Sequence, residues 1–508
     1  MSSLEKYLNQ HRADYSTQMV QYVASLEEVK SVSPFIAGRI VNELADQRTH
    51  LKLIASENFS SIPQQAAMGN LLTDKYSEGF PYHRFYAGCD NVDAIEDFAC
   101  KEAMKLFNAE HAYVQPHSGA DANLCAYWAI LSSKVEMPVL EEMGVTNPSH
   151  MSTEDWNKVR EACHNQRLMG LDYYSGGHLT HGYRQNISAQ LFESYSYTVD
   201  KKTGLLDYDA IEAMAKEVKP LILLAGYSAY PKKINFKRMA EIAHSVGSVF
   251  MVDMAHFAGL VAGGVFEGEY NPIEWADVVT TTTHKTLRGP RGGMILCKAE
   301  YAEAVDKGCP LVIGGPLPHV MAAKAIAFSE ALRPEFKEYA HSIVKNARAL
   351  ASFCQDEGIK VATGGTDNHL MLLDVTPFGL NGRQGESLLR ECGITLNRNA
   401  LPFDINGPWY TSGLRIGTPA VTTLGMKEED MKEIASIIAL VLKNAKPAIL
   451  TKGENAGTES KNRAVAPKAI IKEAQDRVKT LLNKHLLYPE LDLEFLQAEF
   501  PLVEAETL

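Results

Sequence analysis

The strongest constraint on this chain is the alternation, through its middle, of short apolar segments with segments of helical periodicity. Residues 221–225, 249–253 and 278–283 are apolar or β-branched apart from the closing Asp253, too short for buried helices and suited to strands. Residues 208–218 and 236–246 carry apolar side chains at helical spacing. Strands separated by helices pair in parallel, so the pattern predicts an α/β fold with a large, mainly parallel sheet covered by helices. Upstream, Ile95, Phe98, Ala99, Met104 and Phe107 mark a helix over 93–107. A short strand at 112–114 follows, then the small-residue turn Pro116-His117-Ser118-Gly119-Ala120. Beyond Pro334 a long amphipathic helix, a strand at 370–375 and further helices predict a smaller α+β C-terminal domain. The expected division is an N-terminal arm (1–60), a large domain (61–333) and a small domain (334–508). Two insertions are expected, at 136–167 and 452–467, the second a surface loop because it lacks apolar periodicity.

Composition narrows the partners. A formal net charge of −12 disfavours nucleic acid and anionic membranes, which need a basic face. The first residues hold no apolar stretch of signal-peptide length, and no apolar run approaches the roughly 20 residues of a membrane span. Eight cysteines without a CxxC pair predict reduced thiols in a cytoplasmic protein, and no metal site is expected.

The chemistry concentrates in three places. Residues 278–283 form a stiff β-branched strand ending in His284-Lys285, and Arg288-Gly289-Pro290-Arg291-Gly292-Gly293 must then be irregular. Lys285 therefore falls at a strand's carboxyl end, where open α/β sheets bind ligands. A lysine that forms an imine must shed its proton, and His284, Arg288 and Arg291 are candidates for the cationic surroundings that favour this. Asp253 ends another apolar strand, a costly place for an unpartnered charge; it is either a helix cap or a partner for a protonated ring nitrogen. Ser118-Gly119-Ala120 at a helix start is a candidate phosphate cradle, and His178 sits on a glycine-rich loop where an imidazole can stack on a planar ring.

Together these segments resemble the serine hydroxymethyltransferase family of fold-type I pyridoxal-phosphate enzymes. The resemblance also runs through Ser56-Glu57-Asn58, Lys75-Tyr76-Ser77-Glu78-Gly79, Ser228-Ala229-Tyr230, Asp253-Met254-Ala255-His256, Thr366-Asp367-Asn368-His369 and Ser412-Gly413-Leu414-Arg415. It implies that Lys285 carries pyridoxal phosphate as a Schiff base, Asp253 pairs with the ring nitrogen and His178 stacks on the ring. It further implies that Ser228 and His256 bond the phenolic side, that Ser118, Gly119 and Arg291 help hold the cofactor, and that Gly315 reaches it from a partner subunit. Arg415 and Ser56 would grip the substrate carboxylate. Tyr76 and Glu78 would arrive across a homodimer interface, with Glu78 moving the hydroxymethyl proton, Tyr86 and His284 beside the chemistry, and Glu78, Leu179 and Asn399 meeting tetrahydrofolate. The implied activity is one-carbon transfer between serine and glycine. A partly desolvated Glu78 is expected, since it must exchange a proton near neutral pH.

Three departures from the family's pattern stand out. Residues 310–313 replace much of a glycine-rich run, leaving Gly314 and Gly315; Tyr173 stands where a leucine commonly meets the pteridine; Phe85 replaces a tyrosine before Tyr86. The altered pteridine side keeps open a folate-independent activity such as threonine aldolase or alanine racemase. A catalytically silent binding protein is the remaining alternative, opposed by the joint presence of Lys285, Asp253 and Arg415.

Overall fold

The computed structural model describes residues 1–504 apart from residues 13 and 454. Its centre is a seven-stranded sheet. In chain order the strands are β1 (His111–Tyr113), β2 (Arg167–Leu171), β3 (Glu193–Tyr197), β4 (Ile222–Gly226), β5 (Val249–Asp253), β6 (Val278–Thr282) and β7 (Gly293–Cys297). They lie side by side as β1-β7-β6-β5-β4-β2-β3, with β7 antiparallel to both neighbours and the other pairings parallel. Alternate residues feed two cores. Leu223, Ala225, Phe250 and Val252 pack on one face with Phe236, Met239 and Ile242 of the helix Phe236–Ser245. Ile222, Leu224, Val249 and Met251 pack on the other with Ala122, Cys125 and Ala126 of the helix Gly119–Leu131. Burial on both faces is why these strands are continuous apolar runs in sequence.

A second, antiparallel sheet comprises β8 (Lys360–Val361), β9 (Leu370–Asp374), β10 (Asn397–Asn399) and β11 (Gly413–Gly417) in the order β8-β9-β11-β10. The long helix Pro334–Asp356 and the helix Glu428–Lys443 cover it. Leu51–Lys52 pairs in parallel with Ile394–Thr395, and Leu51 and Leu53 are buried in this second core. The chain thus leaves the small sheet's side at Leu53 and enters the central cavity at Ser56. N-terminal helices Ser3–His11, Thr17–Val32 and Pro34–Thr49 form a separate core with Leu496 and Phe500 near the C-terminus.

The segment 136–167 contains helices Met137–Glu142 and Thr153–His164 and no strand until Arg167. The surface loop expected at 452–467 is corrected by the structure. Glu459–Val465 is a strand paired antiparallel with Lys446–Ile449. Only Ser460 and Ala464 of that strand are buried, so backbone pairing stabilises it without an apolar alternation to betray it. Among the described residues, no helix is long and apolar enough to cross a membrane.

Candidate active site

The carboxyl ends of β5 and β6 open into a cavity of about 280 Å³. Ser56, Ser118, Gly119, His178, Ser228, Asp253, His256, His284, Lys285 and Arg291 all line it. Lys285 is presented by a tightly stapled loop. The Thr283 N–H donates to Gly292 O (3.1 Å), the Gly289 N–H to Thr283 O (2.7 Å), and Thr283 Oγ1 to Pro290 O (2.6 Å). Across the cavity, Ser118 caps the helix Gly119–Leu131 by accepting the Asp121 N–H (3.2 Å). The Gly119 and Ala120 N–H groups have no acceptor among the described residues and sit at the positive end of that helix, which suits a phosphate.

Asp253 does not cap a helix; it is the buried anion of the site. Its Oδ2 accepts from Asn123 Nδ2 (2.9 Å) and His181 Nε2 (3.1 Å), and its Oδ1 accepts the Ala255 N–H (3.0 Å). Burial opposes ionisation, but the hydrogen bond and charge of His181, with His178 and Asn123, outweigh it and hold the carboxyl below the ordinary range. A permanently ionised carboxylate at this depth is suited to keeping a ring nitrogen protonated.

The Lys285 amine makes no hydrogen bond or ion pair with any described residue. Burial lowers its pKa from 10.5 to about 8, with Asp253 pulling it upward and Arg415 and Arg291 pushing it down. The expected sources of positive charge were His284, Arg288 and Arg291, and two of the three are replaced. Burial drops His284 to about 3, so it is uncharged. The Arg288 guanidinium stacks on the Tyr339 ring at 4.4 Å, on the far side of the loop. Arg415, 130 residues away in sequence, takes their place.

Arg415 projects from β11 of the small sheet toward the large domain. Its Nη1 donates to Ser228 O (2.7 Å) and its Nε to Asn397 Oδ1 (3.1 Å), and burial lowers its pKa to about 10. His178 is also uncharged, brought to about 4 by burial, and its Nδ1 accepts the Thr180 N–H (3.2 Å).

Tyr76, Glu78 and Tyr86 are not at this cavity in their own chain. They form a cluster elsewhere on the surface: the Tyr76 and Tyr86 hydroxyls donate to the two Glu78 oxygens at 3.4 and 3.3 Å, with the rings edge to face. Gly315 lies against Tyr76 and Glu78, and its carbonyl faces His117 Nε2 at 3.2 Å. Tyr76 is 59% and Tyr86 46% exposed, while Glu78 is half-buried. Asn399 ends β10, its Nδ2 donating to Ala400 O (2.8 Å), and Leu179 is exposed.

Several supporting residues escape a reading of the sequence. Asn123 and His181 hold Asp253, and His369 meets His256. Lys324 is 1% exposed, and its Nζ donates to the carbonyls of Val114 (2.6 Å), Pro116 (2.9 Å) and Gly293 (2.8 Å), the backbone beneath the Ser118 turn. Burial lowers its pKa to about 7. The available signal is a lone lysine in an otherwise apolar helical stretch, residues 320–328, which an amphipathic pattern does not explain.

The sequence is similar to those of known proteins. The family model for serine hydroxymethyltransferase matches residues 29–162 and 158–438. The chain belongs to the serine hydroxymethyltransferase family. A serine hydroxymethyltransferase of Treponema pallidum is 62% identical over 500 residues, covering 98% of this chain and 86% of the relative. Those of Salinispora tropica and Chlamydia muridarum are 52% and 50% identical, covering 94% and 97% of this chain and 99% of each relative. The seven-stranded α/β sheet with Lys285 at a strand's carboxyl end is the family's fold-type I architecture.

Proposed function

We propose that this chain is a serine hydroxymethyltransferase that reversibly converts L-serine and tetrahydrofolate to glycine and 5,10-methylenetetrahydrofolate, with pyridoxal phosphate bound through Lys285. The observation that carries the reading is one cavity holding an unpaired lysine amine, with its pKa lowered to about 8, beside a buried carboxylate at Asp253. The unpartnered N–H groups of Gly119 and Ala120 fit the phosphate, and the donor-held Asp253 fits a protonated pyridine nitrogen. Bound pyridoxal phosphate supplies an electron sink for the pair released when the Cα–Cβ bond of serine breaks.

The chain's own residues do the rest. Lys285 reaches its neutral form readily because burial and two guanidiniums disfavour the ammonium. Arg415, fixed on Nη1 and Nε, keeps Nη2 for the substrate carboxylate, with Ser56 beside it. Neutral His178 presents an aromatic face that adds no positive charge near the ring. Glu78 moves the proton of the serine hydroxyl and meets the folate with Leu179 and Asn399. The exposed Tyr76–Glu78–Tyr86 cluster supports a homodimer in which these groups complete the partner's cavity. Eight free cysteines, six of them buried, fit a cytoplasmic protein.

The test is a serine-to-glycine assay with and without tetrahydrofolate, recording the bound cofactor's absorbance. The expected result is a yellow protein with folate-dependent turnover. Equal turnover without folate would replace the reading with an aldolase or racemase activity, and a colourless, inactive protein would remove it.

A further inference from the structure

His256 Nδ1 and His369 Nε2 lie 3.1 Å apart in a buried, stacked pair of imidazoles. One nitrogen must donate and the other accept, because two N–H groups or two lone pairs face to face repel. Among the described residues neither ring has a carboxylate partner, and the charges that act on both, Lys285 and Arg415, are positive. Burial and those charges lower both rings' pKa values, His369 to about 3, so the pair is neutral and shares one proton in its contact.

The direction of that shared hydrogen bond follows from the opposite edge of His369. Its Nδ1 is buried and has no hydrogen-bond partner among the described residues. If His256 donated, His369 would carry its own proton on Nδ1 and bury an unsatisfied N–H. If His369 donates from Nε2, its Nδ1 buries only a lone pair. Orphaned donors are the rarer and costlier case. We propose that His369 is a positioning residue that donates to His256 Nδ1, locks His256 as its Nε2–H tautomer, and so makes His256 a hydrogen-bond donor to the cavity.

His369 is well braced for this role. Its carbonyl accepts the Thr418 N–H (3.0 Å) next to β11, and its neighbour Asn368 donates to Tyr227 OH (3.1 Å) and Tyr230 O (3.0 Å) in the large domain. The ring therefore links the small sheet to the cavity wall. An Nε2–H there suits an oxygen bearing negative charge. In naming that oxygen as the cofactor's phenolic oxygen, the proposal rests on the pyridoxal-phosphate reading.

The test uses the full chain with ¹⁵N-labelled histidine rings, without and with pyridoxal phosphate, resonances being assigned by loss in His256→Phe and His369→Phe. Both rings should report a protonated Nε2 and a bare Nδ1; a proton on His256 Nδ1 overturns the proposal whether or not the cofactor binds. In the loaded enzyme, His369→Phe should shift the cofactor's absorbance and lower kcat about tenfold, with KM for serine within about twofold. His369→Gln, which restores a donor at the same reach, should recover most of both. A His369→Phe enzyme with unaltered absorbance and kcat overturns the functional half. Failure of the wild-type chain to bind the cofactor would instead sink the proposed activity and leave the tautomer result standing.

Discussion

Replacing Lys285 by Met should make the cofactor-free protein more stable, although it removes the residue on which activity depends. Lys285 is partly buried on the cavity wall and its amine makes no hydrogen bond with any described residue, so methionine, of similar length, forfeits no protein contact. Its depressed pKa measures the electrostatic penalty of holding an ammonium there. A fall from 10.5 to about 8 corresponds to about 3 kcal/mol. The sign follows from proton counting. Between pH 8 and 10.5 the unfolded chain binds more protons at this lysine than the folded chain, so stability rises with pH across that window. Below pH 8 the penalty is fully present.

The Lys285→Met protein should therefore unfold at higher urea than the wild type at pH 7, by about 3 kcal/mol in the large domain, with the advantage shrinking as pH passes from 8 toward 10.5. Far-ultraviolet circular dichroism of both cofactor-free proteins across that range measures it. Other groups titrate there too, but they are common to both chains and cancel in the difference. An equal or lower midpoint for Lys285→Met at pH 7, or an advantage independent of pH, would refute the reasoning. Adding pyridoxal phosphate should reverse the order, since only the wild type gains a covalent ligand.

Three further outcomes follow from the site. Arg415→Ala should raise the KM for serine at least thirtyfold, about 2 kcal/mol, by removing a buried partner for the carboxylate; steady-state kinetics read it. Asp253→Asn removes the one neighbour that favours the Lys285 ammonium, so the pH midpoint for reaction of the cofactor-free lysine with an aldehyde should fall below 8 while turnover drops at least a hundredfold. Lys324→Met strands carbonyls beneath the phosphate turn, at about 1 to 3 kcal/mol for each that stays unsatisfied. Its affinity for pyridoxal phosphate should fall more than its affinity for pyridoxal, as equilibrium titration with the two ligands would show.

What could be read in the sequence was whatever a strand's own residues encode. Residues 249–253 and 278–282 announce themselves because both faces of the sheet are covered, and an aspartate ending the first of them is conspicuous for the same reason. Contacts made across the fold were not legible that way. Asn123 reaches Asp253 from a helix 130 positions earlier, and Lys324 reaches Pro116 across 208. Sequence adjacency also misled. His284 and Arg288 flank Lys285 in the chain, yet burial keeps one neutral, and the other, in a turn with φ of 61°, stacks on Tyr339. The strand Glu459–Val465 stayed hidden because it buries almost nothing.

Burial lowers both the lysine and the arginine, and the layout of charge adds to the effect on the lysine. Two carboxylates line the cavity, but Glu57 is paired with Lys52 (2.8 Å), which leaves Asp253 against Lys285, Arg291 and the neighbouring Arg415, while His178, His256 and His284 are kept uncharged. In a chain of net charge −12 this is a local excess of positive charge. Burial lowers both Lys285 and Arg415, and the excess adds to the fall of Lys285 through Arg415 and Arg291. A ligand bringing a phosphate dianion and a substrate bringing a carboxylate both relieve it, so the cationic part of the penalty that Lys285→Met removes is what favours anionic ligands in the native site. Neutral histidines are then a requirement and not an incident. Each additional imidazolium would depress Lys285 further, and it would also compete with a ring nitrogen for the Asp253 carboxylate.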